Sequence, residues 1–293
     1  VDDKTMNHSP FIDRIVPAPR MVTPTLKVPP APEDMPISIV FEGKPSFTGQ
    51  QILQYEKCPR RFFYSYLLKV GGRQTETAFM RMHKAIRHVT DWMVAQDPDI
   101  VELAEIERRL QLAFDTEGFD AADRVEYAEI ARSLTRSLHE NRIGQIRKPV
   151  PRLQFDTGYG VIEVLPDEAL LRDGVSIVRT IRTGHANSKS MEDWSAAAFV
   201  LAARQHPDRP RADLVFLGDG TFDPVELTPR KLEGRRVKIT GALQSIAAGA
   251  FETDPNPRRC PSCPAFFFCG PVPDGILTKK VNTTLPDFSA RSD

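Results

Sequence analysis

Cys260-Pro261-Ser262-Cys263-Pro264-Ala265-Phe266-Phe267-Phe268-Cys269 holds three of the chain's 4 cysteines, in the spacing C-x2-C-x5-C. The fourth, Cys58, stands about two hundred residues upstream, in Glu56-Lys57-Cys58-Pro59-Arg60-Arg61-Phe62-Phe63-Tyr64. Cys58, Cys260 and Cys263 each precede a proline, which fixes φ and disfavours helix at the residue before it. Such steps suit a loop running into a short helical turn, from which several thiols can face one point. Four thiolates are the usual ligand set of a [4Fe–4S] cluster and also of structural zinc. Zinc commonly takes two close C-x2-C pairs. Here one ligand is solitary and remote, which favours iron–sulfur, with zinc as the alternative. The remaining reading is two disulfides or four unconnected thiols. The lack of a secretory signal weighs against it, because a C-x2-C cluster inside the cell more often binds metal.

A lone cysteine in C-P-R-R-F-F-Y, followed far downstream by C-x2-C-x5-C, resembles the iron–sulfur branch of the PD-(D/E)XK nuclease superfamily. That branch includes AddB-type and RecB-like domains of helicase–nucleases and the CRISPR-associated RecB-like exonucleases. The resemblance runs over residues 46–270. It implies an α/β, restriction-endonuclease-like core: a central mixed sheet flanked by helices, with a helical block before it. It also implies an iron–sulfur staple made by Cys58, Cys260, Cys263 and Cys269.

The chain has 293 residues, enough for one large domain or two small ones. Lys and Arg number 39 and Asp and Glu 39, so the formal net charge is +0 and any nucleic-acid site must come from local clustering. No apolar run is long enough to span a membrane, and a cytoplasmic location is expected. Residues 1–45 read as a proline-rich linker and 271–293 as a tail. Ser9-Pro10-Phe11-Ile12-Asp13 resembles the stretch that closes the motor core of UvrD-like helicases, which would make the chain the end of a longer motor protein.

Between these tails, residues 46–70 read as a capped amphipathic helix with an aromatic inner face. Helices follow over 76–96, 99–116 and 120–143, so that 76–145 looks like a helical insertion. The α/β core is placed at 152–249. Leu153-Gln154-Phe155, Val161-Ile162-Glu163-Val164 and Val175 to Ile181 read as strands, with Asp173-Gly174 as a hairpin turn. A helix over 191–205, strands over 212–217 and 221–227, and a helix over 229–249 capped by Thr228 complete it.

A metal-dependent nuclease needs carboxylates to hold Mg²⁺ at the end of the sheet and a lysine near the attacking water. The resemblance implies a G-x-x-x-H helix motif, an Asp after the second strand, a D/E-x-K on the third and a Q-x-x-x-Y helix. His83 fits the histidine, although Phe79 replaces the glycine, and Asp167 fits the first carboxylate. The third strand departs: Thr180 stands for the acid and Arg182 for the lysine. A neutral hydroxyl is a poor Mg²⁺ ligand, and arginine stays protonated. Ser195 and Phe199 stand at the Gln and Tyr positions. The expectation is a nuclease fold that has lost phosphodiester cleavage. In another register, Glu163, Glu168, Asp173 or Glu226 would supply the acids, Mg²⁺ or Mn²⁺ would bind, and the chain would be an active exonuclease.

Arg60 and Arg61 follow Cys58, Arg258 and Arg259 precede Cys260, and the 229–249 helix carries Arg230, Lys231, Arg235 and Arg236. These eight are the expected contacts to single-stranded DNA or a duplex end. A helicase motor domain or helicase–nuclease subunit is the expected protein partner. A protein-docking module without DNA contact is the alternative from another class. The chain has no P-loop, so it is not itself an ATP motor.

Overall fold

The computed structural model describes residues 39–72, 76–187, 189–267 and 269. The expectations for Ser9–Asp13, for most of the proline-rich segment and for 271–293 lie outside the described residues. No helix among the described residues is long and apolar enough to cross a membrane.

The segment expected to be one helix over 46–70 is four pieces. Ser46–Thr48 is a strand, β1, followed by helix α1 (Gly49–Lys57), helix α2 (Pro59–Phe62) and a π-helical turn at Phe63–Leu67. The reason is local. Phe47 pairs with Ile162 across a parallel ladder, so the chain stays extended until Thr48. Thr48 then accepts from the Gln51 N–H while the Gln51 side chain accepts from the Thr48 N–H, a reciprocal cap that starts α1. Cys58 is extended at φ −165° before Pro59, which ends α1 and starts α2.

Three longer helices follow: α3 (Ala78–Val94), α4 (Leu103–Glu117) and α5 (Ala121–Arg142). They do not form a separate block. Met82, Ile86, Val89, Ile106, Leu110, Phe114 and Leu138 share one core with Ile181 and Val215 of the sheet and with Leu217 just after it. They are therefore the layer covering one face of the sheet.

The strands form two sheets rather than the single sheet expected. One has the order β1-β4-β3, with β3 at Leu153–Asp156 and β4 at Val161–Val164. The other has the order β2-β5-β6-β7-β8. Its strands are Ile146–Arg147, Glu168–Arg172, Val175–Arg182, Arg211–Phe216 and Thr221–Pro224. Pro166 separates β4 from β5, as expected of a residue that cannot donate to a ladder. Two strands escape the pattern reading. β2 has only two residues, and the Glu168 at the head of β5 disguises a buried strand as a loop. Asp173 and Gly174, at φ 50° and 77°, make the tight turn from β5 to β6. Helix α6 (Trp194–Gln205) joins β6 to the parallel β7, and α7 (Pro229–Ala247) closes the chain's other core.

Glu168, one of the alternative acids, is taken up in a buried ion-pair network. It is fully buried and ion-paired with Arg142 at the end of α5, which is equally buried. Arg179, directly across the ladder, stands 3.6 Å from its other oxygen. Removing one member of a buried pair leaves an uncompensated charge, costing about 3–5 kcal/mol. Glu168→Gln is expected to lower the urea-unfolding free energy at neutral pH by about 3 kcal/mol. A loss smaller than about 0.5 kcal/mol would mean that the two arginines do not depend on this carboxylate.

Candidate functional site

Two regions collect the residues singled out above, one at the cysteines and one at the end of β6.

The four thiols converge. Cys58, Cys260, Cys263 and Cys269 all line one cavity of about 30 Å³, with Arg61, Thr253, Asp254, Pro255 and Phe266. All four are free thiols. The segments are held by ordinary bonds as well. The Arg60 N–H donates to the Glu252 carbonyl at 3.1 Å and the Gly72 N–H to the Pro264 carbonyl at 2.6 Å. Gly71, at φ +157°, approaches Pro264 so closely that a Cβ would stand 2.8 Å from the proline ring. Two sulfurs accept backbone N–H groups: Cys58 from Arg61 at 3.4 Å and Cys260 from Asn256 at 3.2 Å. Burial pushes the Cys269 thiol up to about 11, and the neighbouring Cys263 and Cys58 add to the effect. Burial also raises Cys263, against the pull of the Ala265 N–H and of Arg61. As bare thiols these two are protonated. Among the described residues, no group of three or more His, Cys, Asp or Glu is arranged to hold a metal ion.

A second, more open cavity of about 370 Å³ adjoins the first. Lys57, Arg61, Arg258 and Arg259 line it, with Gln54 and Ser262. Of the eight basic residues expected to meet DNA, three are already engaged by carboxylates. Arg259 pairs with Asp254 at 2.5 Å, Lys231 with Glu192 at 2.6 Å, and Arg236 with Glu233 in a two-pronged contact at 2.7 and 2.5 Å. Such pairing weakens the free phosphate rim read from sequence. Arg230 and Arg258 are exposed, and Arg61 and Arg235 partly so. Arg60 stands at the cysteines, where its charge lowers the Cys269 pKa. Lys57 and Gln54 are additions that sequence alone did not single out. Both lie on the last turn of α1, on the face that meets the cysteine loop.

At the end of β6 stand the positions that the resemblance implies are catalytic. The Asp167 carboxylate accepts from the Ile181 N–H at 2.6 Å through one oxygen. Its other oxygen is ion-paired with Arg87 of α3. The same guanidinium donates to the Ile181 carbonyl at 3.1 Å and pairs with Asp91 at 2.8 Å. Arg87 lies one helical turn after His83 on α3, and no sequence motif singles it out. The His83 ring is 2.7 Å from the Thr183 hydroxyl and edge-on to Phe79, at 4.4 Å between centroids. Phe79 therefore occupies the glycine position as a cover for the histidine. Thr180 lies across from Leu214, and the Arg182 guanidinium lies over the Phe216 ring at 5.4 Å. Ser195 accepts from the Gln50 side chain at 3.3 Å, and Phe199 is buried in the core. His185, near this end of the sheet, pairs with Asp219 at 2.7 Å.

The alternative acids gather no site. Glu163 lies on β4 opposite Thr48 and Gln154, Asp173 sits in the hairpin turn, and Glu226 is exposed.

The family model of the PD-(D/E)XK nuclease superfamily matches residues 46–270. No curated protein matches the chain.

His83 gives this region a pH signature. Burial, and then the charge of His185, lowers its pKa from the ordinary value. The unfolded chain therefore takes up the proton more readily than the folded one, and stability falls as pH drops below about 6.5. His139, lowered by burial and by Arg142, acts with the same sign. Replacing His83 by Gln is expected to flatten part of the loss in urea midpoint between about pH 7 and 5. An unchanged acid slope would show that His83 titrates alike in both states.

Proposed function

Since the chain belongs to the PD-(D/E)XK nuclease superfamily, we propose that it is a DNA-binding member that does not cleave. We assign it to the iron–sulfur type found in RecB- and AddB-like helicase–nuclease systems. One observation carries the first half. The one carboxylate left at the catalytic position, Asp167, is taken up by Arg87 and the Ile181 N–H, while Thr180 and Arg182 stand where an acid and a lysine would be needed. A carboxylate whose two oxygens are both engaged this way offers little to Mg²⁺, which demands near-octahedral oxygen ligation. Thr180 is no anion, and Arg182 cannot lose its proton to assist a water molecule.

The cluster assignment rests on donor chemistry. Zinc commonly takes two close C-x2-C pairs, whereas here Cys58 is solitary and remote from the C-x2-C-x5-C run, a pattern that favours iron–sulfur. Cys58, Cys260, Cys263 and Cys269 would hold a [4Fe–4S] cluster. The N–H groups of Arg61 and Asn256 already point at two of the sulfurs, as hydrogen bonds that tune such clusters do. When bound, the cluster would supply a cross-link between the beginning and the end of the domain. The DNA backbone would run along the cleft beside it, over Lys57, Arg61 and Arg258. Its phosphates would meet a local positive field on a chain of zero net charge. A helicase motor or helicase–nuclease subunit would then deliver the strand.

Three measurements test this reading. DNA binding should weaken with salt, and Arg61→Ala and Arg258→Ala should each reduce the log–log salt slope by about 1. Binding absent at low salt would leave protein docking as the better account. No strand cleavage is expected with Mg²⁺ or Mn²⁺. Cleavage that disappears in Asp167→Ala would instead make the chain an exonuclease. Cys58→Ala is expected to lose iron and inorganic sulfide from anaerobically purified protein; full retention of both would remove Cys58 from the ligand set.

A further inference from the structure

Arg87 makes an unusual set of contacts for a helix-surface arginine. Its guanidinium joins the carboxylates of Asp91 and Asp167 to the backbone carbonyl of Ile181. Two carboxylates and a carbonyl gathered around one positive centre are the ligand types that a hard divalent cation collects. Each donor comes from a different element. Asp91 lies on α3, Asp167 at the entrance of β5, and Ile181 on β6. The Asp167 carboxylate also accepts the Ile181 N–H at 2.6 Å, so it is fixed against the strand whatever occupies the space beside it.

We propose that Arg87 is a built-in replacement for the divalent cation at this end of the sheet, so that the fold holds Asp167, Asp91 and Ile181 together without metal. The inference rests on the non-cleaving reading and adds to it a cause that lies outside the third strand. The electrostatics match. Without a positive partner, Asp91 and Asp167 would face each other across the α3–β5 junction, and the Ile181 carbonyl would add its negative end. A guanidinium satisfies all three through separate N–H groups, as its fork geometry allows. A lysine on the same helix would offer one compact charge and could not reach three acceptors in these directions. The consequence is a site that is saturated from within. Mg²⁺ or Mn²⁺ would have to displace a covalently tethered cation whose effective concentration far exceeds that of the free ion.

The test uses Mn²⁺ as the probe, followed by electron paramagnetic resonance and by thermal melting of the whole chain. Wild-type protein should bind no Mn²⁺ that Asp167→Asn removes, and its melting temperature should be the same in Mn²⁺ and in EDTA. Arg87→Ala should bind Mn²⁺ at least about tenfold more tightly than wild type. It should also melt higher in Mn²⁺ than in EDTA, with both gains lost in the Arg87→Ala, Asp167→Asn double variant. Arg87→Lys, which keeps a charge at this position, should gain neither. If Arg87→Ala does not fold in EDTA, recovery of its fold by Mn²⁺ through Asp167 is the expected result, and failure to recover counts against the proposal. A wild-type Mn²⁺ site that depends on Asp167, or a folded Arg87→Ala with no gain, overturns it. Wild-type cleavage of DNA would defeat the non-cleaving reading, whereas the Mn²⁺ titration addresses Arg87 directly.

Discussion

The docking of the Cys58 segment against the loop that carries the other three cysteines is the contact on which the domain depends. It joins parts of the chain about two hundred residues apart, a closure that costs on the order of 5 kcal/mol in chain entropy. The apolar side of the contact is aromatic. Phe62 and Phe63 stack on Phe251 at 6.3 and 4.9 Å, and Tyr55 meets both Phe62 and Phe251 edge-on. The polar side is backbone. Tyr55 donates to the Ala250 carbonyl at 2.8 Å, Arg60 to Glu252 and Gly72 to Pro264, while the Arg259 side chain reaches the Lys57 carbonyl. A net value of about 1 kcal/mol for each hydrogen bond, with rings that pack fully, is enough to offset the closure. The thiols are thus brought to one cavity with the help of ring stacking and backbone hydrogen bonds. The cluster proposed above would add a cross-link to the junction that these ring and backbone contacts make.

The same economy is visible at the other end of the sheet. The positions that the family resemblance implies are an aspartate just before β5, the end of β6 and a histidine on the covering helix. What differs is the source of positive charge. Arg87 comes from α3, the helix whose inner face packs on Ile181 and Val215 through Met82, Ile86 and Val89. Any displacement of α3 along the sheet would therefore move core side chains together with the guanidinium. This links the charge balance at Asp167 to the packing of a whole layer.

Much of this was legible in the sequence, for identifiable reasons. The Asp173-Gly174 turn, the Thr228 cap and the long amphipathic helices depend on local chemistry, and outside 46–70, β2 and β5 the helices and strands lie close to where periodicity places them. The run over 46–70 misled because its aromatics satisfy a helical period while Phe47 pairs as a strand with Ile162. That partner lies more than a hundred residues away and leaves no local mark. β5 was missed because its first residue, Glu168, is charged; only its burial between Arg142 and Arg179 makes it a strand residue. Three of the basic residues read as phosphate contacts face carboxylates: Glu233 on the same helix as Arg236, Glu192 just before α6, and Asp254 near Arg259. Charge clustering along a sequence counts cations without showing which are already neutralised.

Arg87 illustrates the limit most sharply. Its type and position are ordinary for a solvated helix face, and nothing in the spacing of α3 distinguishes it from Arg81 or Lys84. Lys84 lies three residues earlier on the same helix and, among the described residues, pairs with Glu76 and Glu117, both outside the sheet. The difference between the two is fixed by tertiary placement. One turn along the helix moves the cationic head from solvent to the junction where Asp167 and Ile181 meet. Identity at the catalytic acid and lysine positions is therefore an incomplete guide to whether such a site takes a metal. The occupant of the space between the donors decides it, and that occupant can come from an element that no strand motif contains.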